Sequence, residues 1–527
     1  MLQKRLILNF SNKNKSIKDF LYIFFISLSA IIFTFYSGYR GIFPLDSFVI
    51  YDGGYKVLNG HHPFKDYWSI SGPILDYIQS IFFKVFGINW FSYVLHAASI
   101  NLLLSLLIYF FFSQLGLKKI YCFIYSLGVS VLGYPSVGTP FMDHHASIFS
   151  LIAILFLFLA IKKEDKIYWF LSPFFLFFSF MSKQIPSSYL LILFLIIIIF
   201  FLYLENFKKI KIVYPLILGG IISIFLFIFA LKGNDIPFEN FLIQYILYPL
   251  EIGSGRISGL TFNYGTIVSK FKFIYIAILP LLFVFYKILK RSNLKLEEKK
   301  EMLLIAFLVL SLGIFIYSQI LTKNQILIFF LIPFVLGVVH YFCNKYYMIS
   351  FLYYFLITIL IITTFKYHTR FNINKKFMEL NDVDLNLSIN AKILDSSLNN
   401  VQWITPHYPK KPNYELQQLL ALKNIIILDK SNKIIMTNYQ ILPSISKIKN
   451  FSPNKWLDLM SEPNIKSKFF LIYKNFFIEK LKQQNIETIY IMGHKIKYIN
   501  NILKKNCYKQ LPVNEIAYKI EISSCFK

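Results

Sequence analysis

The chain has 527 residues, of which 56% are hydrophobic and 19% aromatic, and it carries a formal net charge of +28. Apolar residues gathered into long runs exclude an ordinary water-soluble fold, and lysines spread over short loops and the C-terminal third, with no nucleic-acid-binding module, argue against a nucleic-acid partner. The excess of Lys, Ile, Asn and Phe reads as compositional bias and carries little functional weight.

Eleven apolar runs fall at about 19–37, 91–113, 120–134, 146–161, 167–181, 186–204, 213–231, 271–289, 302–318, 326–343 and 347–365. Most have the length and apolarity to cross hydrocarbon. Alternate connections carry Lys118 and Lys119, then Lys162, Lys163 and Lys166, then Lys208, Lys209 and Lys211, then a basic stretch from Lys290 to Lys300, then Lys345. With Lys4, Arg5, Lys13, Lys15 and Lys18, these mark the expected cytoplasmic face. The N-terminus is then inside and, after an odd number of spans, the C-terminus outside. The first run reads as a retained helix, because Tyr36-Ser37-Gly38-Tyr39-Arg40 is a membrane exit and not a small-residue cleavage site. The expected architecture is an α-helical polytopic membrane domain over 1–365, with its first outer loop at 38–90, followed by an extracytoplasmic α/β domain over 366–527.

The first outer loop has the richest chemistry. Asp46-Ser47 precedes Phe48, Val49, Tyr55, Val57 and Leu58, which predict a short interfacial helix ended by Gly60. Pro63-Phe64-Lys65-Asp66 and Gly72-Pro73-Ile74-Leu75 follow. A carboxylate at the water boundary is either a helix cap or a proton acceptor, and isolated acids beside apolar spans are often functional.

An acid, a Gly fourteen positions on, a Pro-aromatic-x-Asp and a Gly-Pro-x-Leu together resemble the first outer loop of GT-C glycosyltransferases that use polyprenol-phosphate sugars. The nearest group is that of protein O-mannosyltransferases and the lipid A aminoarabinose transferase. The resemblance implies that Asp46 is the catalytic base on the acceptor. Ser47 stands where the family has a second acid, so any role of that partner passes to Asp52 or Asp66 as acceptor or sugar contacts. The chemistry is coherent without the family. Transfer from a phosphate-linked sugar needs a base for the acceptor proton and cations for the leaving phosphate, both at the membrane surface when the donor is a lipid.

Cations occur in other outer connections. Asp143, expected to cap the fourth span, and His144 lie in the second outer loop as acceptor or sugar contacts. A metal shared by Asp143, His144 and His145 is disfavoured, since consecutive helical residues diverge by about a hundred degrees. No cofactor is required, and the use of a divalent metal stays open. Lys183, in the turn Ser182–Pro186, runs against the positive-inside bias and is a candidate for the donor phosphate, as the resemblance implies. Lys323 in the connection 319–325 is a second. Between 232 and 265 an aromatic interfacial helix (Phe238, Phe241, Tyr245, Tyr248) is expected to lead into a mobile Gly253-Ser254-Gly255-Arg256 lid, with Arg256 a third cation.

In the C-terminal domain strands are expected at 433–436, 488–492 and 518–522, with an amphipathic helix at about 468–484. Tyr439, Phe451, Pro453 and Trp456 are expected to pack on the membrane part, and no catalytic constellation is visible. His407 and His494 read as surface or packing residues, and Cys507 and Cys525 as a disulfide in an oxidising compartment.

The expected protein is a glycosyltransferase in a bacterial inner membrane, N-terminus cytoplasmic and C-terminal domain periplasmic. Its partners would be a polyprenyl-phosphate-linked sugar, membrane lipid, and an acceptor glycan, lipid or protein. The rivals are a flippase or transporter of lipid-linked saccharides, which predicts charges inside the spans, and a polymerase of such units, which predicts two large outer loops with arginines.

Overall fold

The computed structural model describes residues 13–134, 137–260, 263–323, 327–346, 351–377, 379–458, 460–492 and 496–522. The protein is a mostly helical polytopic membrane protein with a small C-terminal sheet. Helices fall on each of the eleven apolar runs: Lys13–Gly38, Trp90–Gln114, Lys119–Leu132, Met142–Lys163, Lys166–Ser182, Ser187–Leu204, Ile210–Gly233, Lys272–Leu289, Leu296–Thr322, Leu331–Lys345 and Phe351–Tyr367. Among the described residues, seven are long and apolar enough to cross a membrane; Lys119–Leu132 and Lys166–Ser182 are not among them, being shorter than Met142–Lys163 between them. Between its polar first turn and Lys162, Met142–Lys163 is apolar on nearly every side and is accordingly buried along its length within the bundle.

The lysine-rich connections do gather at one end. There Lys162 pairs with Glu297 (2.5 Å) and Glu301 (2.8 Å), Lys209 with Glu164 (2.6 Å), Lys300 with Glu164 (2.7 Å) and Glu205, Lys345 with Glu301, and Lys119 with Asp19 (3.2 Å). Carboxylates that the sequence reading passed over thus hold the lysines that it used.

The opposite end carries the 38–90 loop, and the C-terminal domain docks on it. Helix Val49–Leu58 is present as expected, but it is buried on nearly every side and does not lie free in an interface. It presses on helix Ile74–Phe86 through Gly53 and Gly54, where an added Cβ would stand 2.4 Å from Asp76 Oδ1 and 2.5 Å from Gln79 Cγ. Its remaining faces meet the C-terminal domain. Tyr55 packs edge-on to Phe451, and Lys56, paired with Asp52 at 2.8 Å, donates to the Asn454 carbonyl at 2.8 Å.

Among the described residues six strands form two sheets: β1 (Ile389–Asn390) with β2 (Gln402–Trp403), and β3 (Lys433–Met436), β4 (Thr488–Met492), β5 (Tyr508–Pro512) and β6 (Ala517–Ile522) in the order β3-β4-β6-β5. Only β3 and β4 are parallel, and helix Phe470–Gln483 leads into β4. The three expected strands and this helix are present, whereas β5, a polar edge strand with no apolar alternation, was not foreseen. Cys507, which opens the β5–β6 hairpin, is disulfide-bonded; Cys525 and His494 lie outside the described residues. The expected lid is also revised. Gly253 to Arg256 belong to a continuous helix, Tyr248–Ser258, because Tyr248 and Ile252 bury against the C-terminal domain and keep the turns in register.

Main-chain bonds cement the docking: Trp68 N–H donates to the Pro453 carbonyl (2.7 Å), Lys455 N–H to that of Trp68 (2.9 Å) and Gln402 N–H to that of Tyr39 (2.8 Å). Between them Lys455 Nζ pairs with Asp76 at 2.8 Å, both side chains almost fully buried, and the Tyr67 hydroxyl donates to the other Asp76 oxygen at 2.8 Å. Removing one member of such a pair leaves a buried charge and costs about 3–5 kcal/mol, whereas replacing both by apolar side chains is close to neutral. Lys455→Ala is therefore expected to lower the thermal unfolding midpoint sharply, and Asp76→Leu combined with Lys455→Met to restore most of it.

Candidate active site at the loop end of the bundle

Asp46 sits in a one-turn helix, Pro44–Ser47, opened by Pro44. The backbone around it is held from three sides. Ser47 Oγ accepts the Phe43 N–H (3.2 Å), the Tyr93 hydroxyl donates to the Ser47 carbonyl (2.8 Å), and the Trp456 indole of the C-terminal domain donates to the Leu45 carbonyl (2.9 Å). The helix cap is Phe43, so Asp46 is not a cap, and among the described residues no hydrogen bond or ion pair engages its carboxylate. Although it keeps some exposed surface, protein surrounds it densely enough that loss of hydration raises its pKa, to about 7. The carboxylates of Asp458, Asp143 and Glu379 add to the rise, and Lys183 opposes it.

Asp143 and Lys183, singled out separately in the sequence, form one unit. Lys183 Nζ lies 2.7 Å from each oxygen of Asp143. Asp143 does not cap its helix, where Phe141 holds that place; it stands in the first turn of Met142–Lys163, and Lys183 stands at the C-terminus of Lys166–Ser182. Each charge therefore faces the helix end that favours its sign. The Lys183 turn is fastened to the first loop. Gly72 N–H donates to the Ser182 carbonyl (3.1 Å), an added Cβ at Gly72 would fall 1.7 Å from the Met181 carbonyl, and Gln184 donates to the carbonyls of Ile70 (2.9 Å) and Tyr245 (2.7 Å). The second outer loop is fixed in the same way, with the Gly138 backbone against Gly38 and Lys375 bridging Ser37 Oγ (2.9 Å) and the Val137 carbonyl (3.3 Å).

The other two expected cations come together elsewhere. Arg256 and Lys323 line one open cavity of about 380 Å³ with Tyr248, Glu251, Met460 and Asn464. Lys323 ends helix Leu296–Thr322 in a left-handed conformation and is exposed; neither cation has a carboxylate partner among the described residues. One segment of the C-terminal domain links the cavity to Asp46. In the stretch 456–464, Trp456 holds Leu45, the Asp458 charge is felt by both Asp46 and Tyr248, and Met460 and Asn464 line the cavity.

Two expected contacts lie apart from this site. Asp52 is buried in its pair with Lys56, because helix Val49–Leu58 turns it toward the C-terminal domain and not toward the bundle. Asp66 closes a turn by accepting the His62 N–H at 2.7 Å. His144 is buried in the helix below Asp143 with its ring against Tyr134, while His145 bonds Tyr134 (2.7 Å) and His96 (3.0 Å). Among the described residues no group of three or more His, Cys, Asp or Glu side chains is placed to hold a metal ion. Asp458, Glu379 and Trp456 were missed as site residues. A carboxylate near an aromatic segment was the sole signal for Asp458, and nothing in the sequence ties it to a loop so distant.

No family model matches the chain, and no curated protein matches it either.

With its pKa near 7, Asp46 is protonated below that pH and ionised above it. Difference infrared spectra are expected to show a protonated-carboxyl band that disappears as pH rises through about 7 and is absent from Asp46→Asn. Lys183→Met removes a charge that stabilises the ionised form, so the midpoint in that variant is expected to move upward.

Proposed function

We propose that the protein is a membrane glycosyltransferase of the GT-C type that moves a sugar from a polyprenyl-phosphate donor to an acceptor outside the cytoplasm. The observation that carries this reading is Asp46, an acid with no partner among the described residues, poised near neutrality within range of the Asp143–Lys183 pair and linked through one C-terminal segment to a cavity lined by two cations, Arg256 and Lys323, that have no ion-pair partner among the described residues. A general base works best with a pKa near the working pH, and a phosphorylated leaving group needs fixed positive charge.

In the proposed reaction the ionised Asp46 takes the proton of an acceptor hydroxyl or amine, and the freed heteroatom attacks the anomeric carbon of the sugar. The bond from that carbon to the phosphate oxygen breaks, and polyprenyl phosphate departs with the bonding electrons, held by Arg256 and Lys323. Lys183, expected as a phosphate ligand, instead fixes Asp143 and tempers the charge around the base. In this reading the eleven apolar helices all cross a bacterial inner membrane, the lysine-rich end is cytoplasmic, and the C-terminal domain covers the site from the periplasm.

Asp46→Asn keeps the shape of the side chain and removes the proton acceptor, so turnover is expected to fall about a hundredfold or more while donor affinity holds. Wild-type turnover in a folded Asp46→Asn protein would end the proposal. Arg256→Ala and Lys323→Ala are each expected to weaken donor binding roughly ten- to a hundredfold, the range of charge-assisted hydrogen bonds. For orientation, cysteines placed at Gly60 and Lys449 are expected to react with an impermeant reagent from outside intact cells, and one at Lys295 to resist it.

A further inference from the structure

The C-terminal domain carries an aliphatic patch that no described part of the chain covers. Ile465, Leu471 and Ile472 are 62%, 65% and 43% exposed. Lys466 and Lys468 stand exposed among them, Lys474 follows on the same helix, and no acidic residue occurs from Pro463 to Ile478. Within this stretch the inward side chains Phe469, Tyr473 and Phe476 belong to the domain core, so the aliphatic groups outside are not needed for folding.

The position of the patch gives it meaning. Phe469 packs edge-on to Tyr248 at 5.8 Å, and the Tyr248 hydroxyl donates to the Met460 carbonyl at 2.8 Å. Tyr248 begins helix Tyr248–Ser258, where Leu250 and Ile257 are themselves exposed, and that helix lies in the connection between Ile210–Gly233 and Lys272–Leu289, two helices fit to cross a membrane. The ends of such helices lie at the membrane–water boundary, and Phe241 of the same connection packs on Phe227 near the end of Ile210–Gly233, so the connection that the patch touches lies at that level. Exposed aliphatic side chains fringed by lysines have the composition of segments that rest in the headgroup region of anionic bilayers.

We propose that the Ile465–Ile472 edge of the C-terminal domain is seated on the membrane, with its aliphatic side chains in the headgroup–acyl boundary and Lys466, Lys468 and Lys474 on anionic phospholipid headgroups. A second copy of the chain fits this face poorly, because a two-fold contact would set the same lysines against one another. The seat continues the lipid-facing surface of the bundle, and it places the cavity lined by Asn464 at the level of the lipids. It does not depend on the sugar-transfer reading.

The test uses the full-length protein in lipid nanodiscs with a fluorophore on Leu471→Cys, compared with Gln510→Cys on the exposed edge strand β5. Labelled wild type sets the background from the native cysteines, and unfolding midpoints verify the fold. With phospholipids that carry a nitroxide high on the acyl chain, the Leu471 label is expected to be quenched several-fold more than the Gln510 label. Changing Lys466, Lys468 and Lys474 together to Gln should reduce this quenching in phosphatidylglycerol discs and leave it nearly unchanged in phosphatidylcholine discs. Equal quenching at the two positions overturns the proposal. So does cross-linking of Leu471→Cys between two copies without lipid quenching, and an unaltered response of the lysine variant in anionic discs removes the headgroup contact.

Discussion

The buried pair between Asp76 and Lys455 is the contact on which the rest of the loop end depends. Neither charge is tolerable alone at that depth, so the first outer loop and the C-terminal domain must meet for either to be solvated by protein. Once Lys455 is held, the neighbouring positions follow. Trp456 reaches the Leu45 carbonyl, Asp458 comes within electrostatic range of Asp46, and Met460 and Asn464 arrive at the cavity. The same pair explains the glycines of helix Val49–Leu58, since a side chain at Gly53 would occupy the place of the Asp76 carboxylate. The C-terminal domain is therefore a wall of the candidate site and not a separate appendage.

The parts of this structure written in local pattern were legible in the sequence. Apolar runs gave the helices, lysine spacing gave the end of the bundle at which their connections meet, and short β-branched apolar segments gave β3, β4 and β6. Asp46, Asp143, Lys183, Arg256 and Lys323 were each visible because a charge beside an apolar span is unusual. Their grouping was not visible. Which acid faces which lysine depends on how the helix ends pack, so Lys183 was expected on a phosphate and lies on Asp143, while Arg256 and Lys323 meet across separate connections. Asp52 illustrates the same limit. Its position in the loop resembled that of a site residue, but its i,i+4 neighbour Lys56 pairs with it, and the C-terminal domain buries the pair. The C-terminal contribution was least legible, because an ion pair between residues as far apart as Asp76 and Lys455 leaves no periodic trace.

Both ends of the bundle pair lysines with carboxylates. At one end nearly every lysine found close to a carboxylate is neutralised, with Glu301 alone taking Lys162 and Lys345 together with the Tyr346 hydroxyl. That arrangement ties helices together. At the other end, beside the Asp143–Lys183, Asp76–Lys455 and Asp52–Lys56 pairs, Asp46, Arg256 and Lys323 have no ion-pair partner among the described residues, which is expected where a ligand is to supply one.

Their separation has its own logic under the proposed reaction. Had Arg256 or Lys323 stood beside Asp46, the pair would have held the acid ionised far below neutrality, giving a weak base already engaged by a cation. Lys183 is near enough to oppose the rise in the Asp46 pKa, but its charge is balanced by Asp143, which acts on Asp46 in the opposite sense. Hydration loss then dominates and leaves the acid poised near pH 7. Under that reaction the cations keep their charge for a phosphate, and one segment of the C-terminal domain both lines their cavity and supplies the Asp458 charge that raises the affinity of the base for its proton.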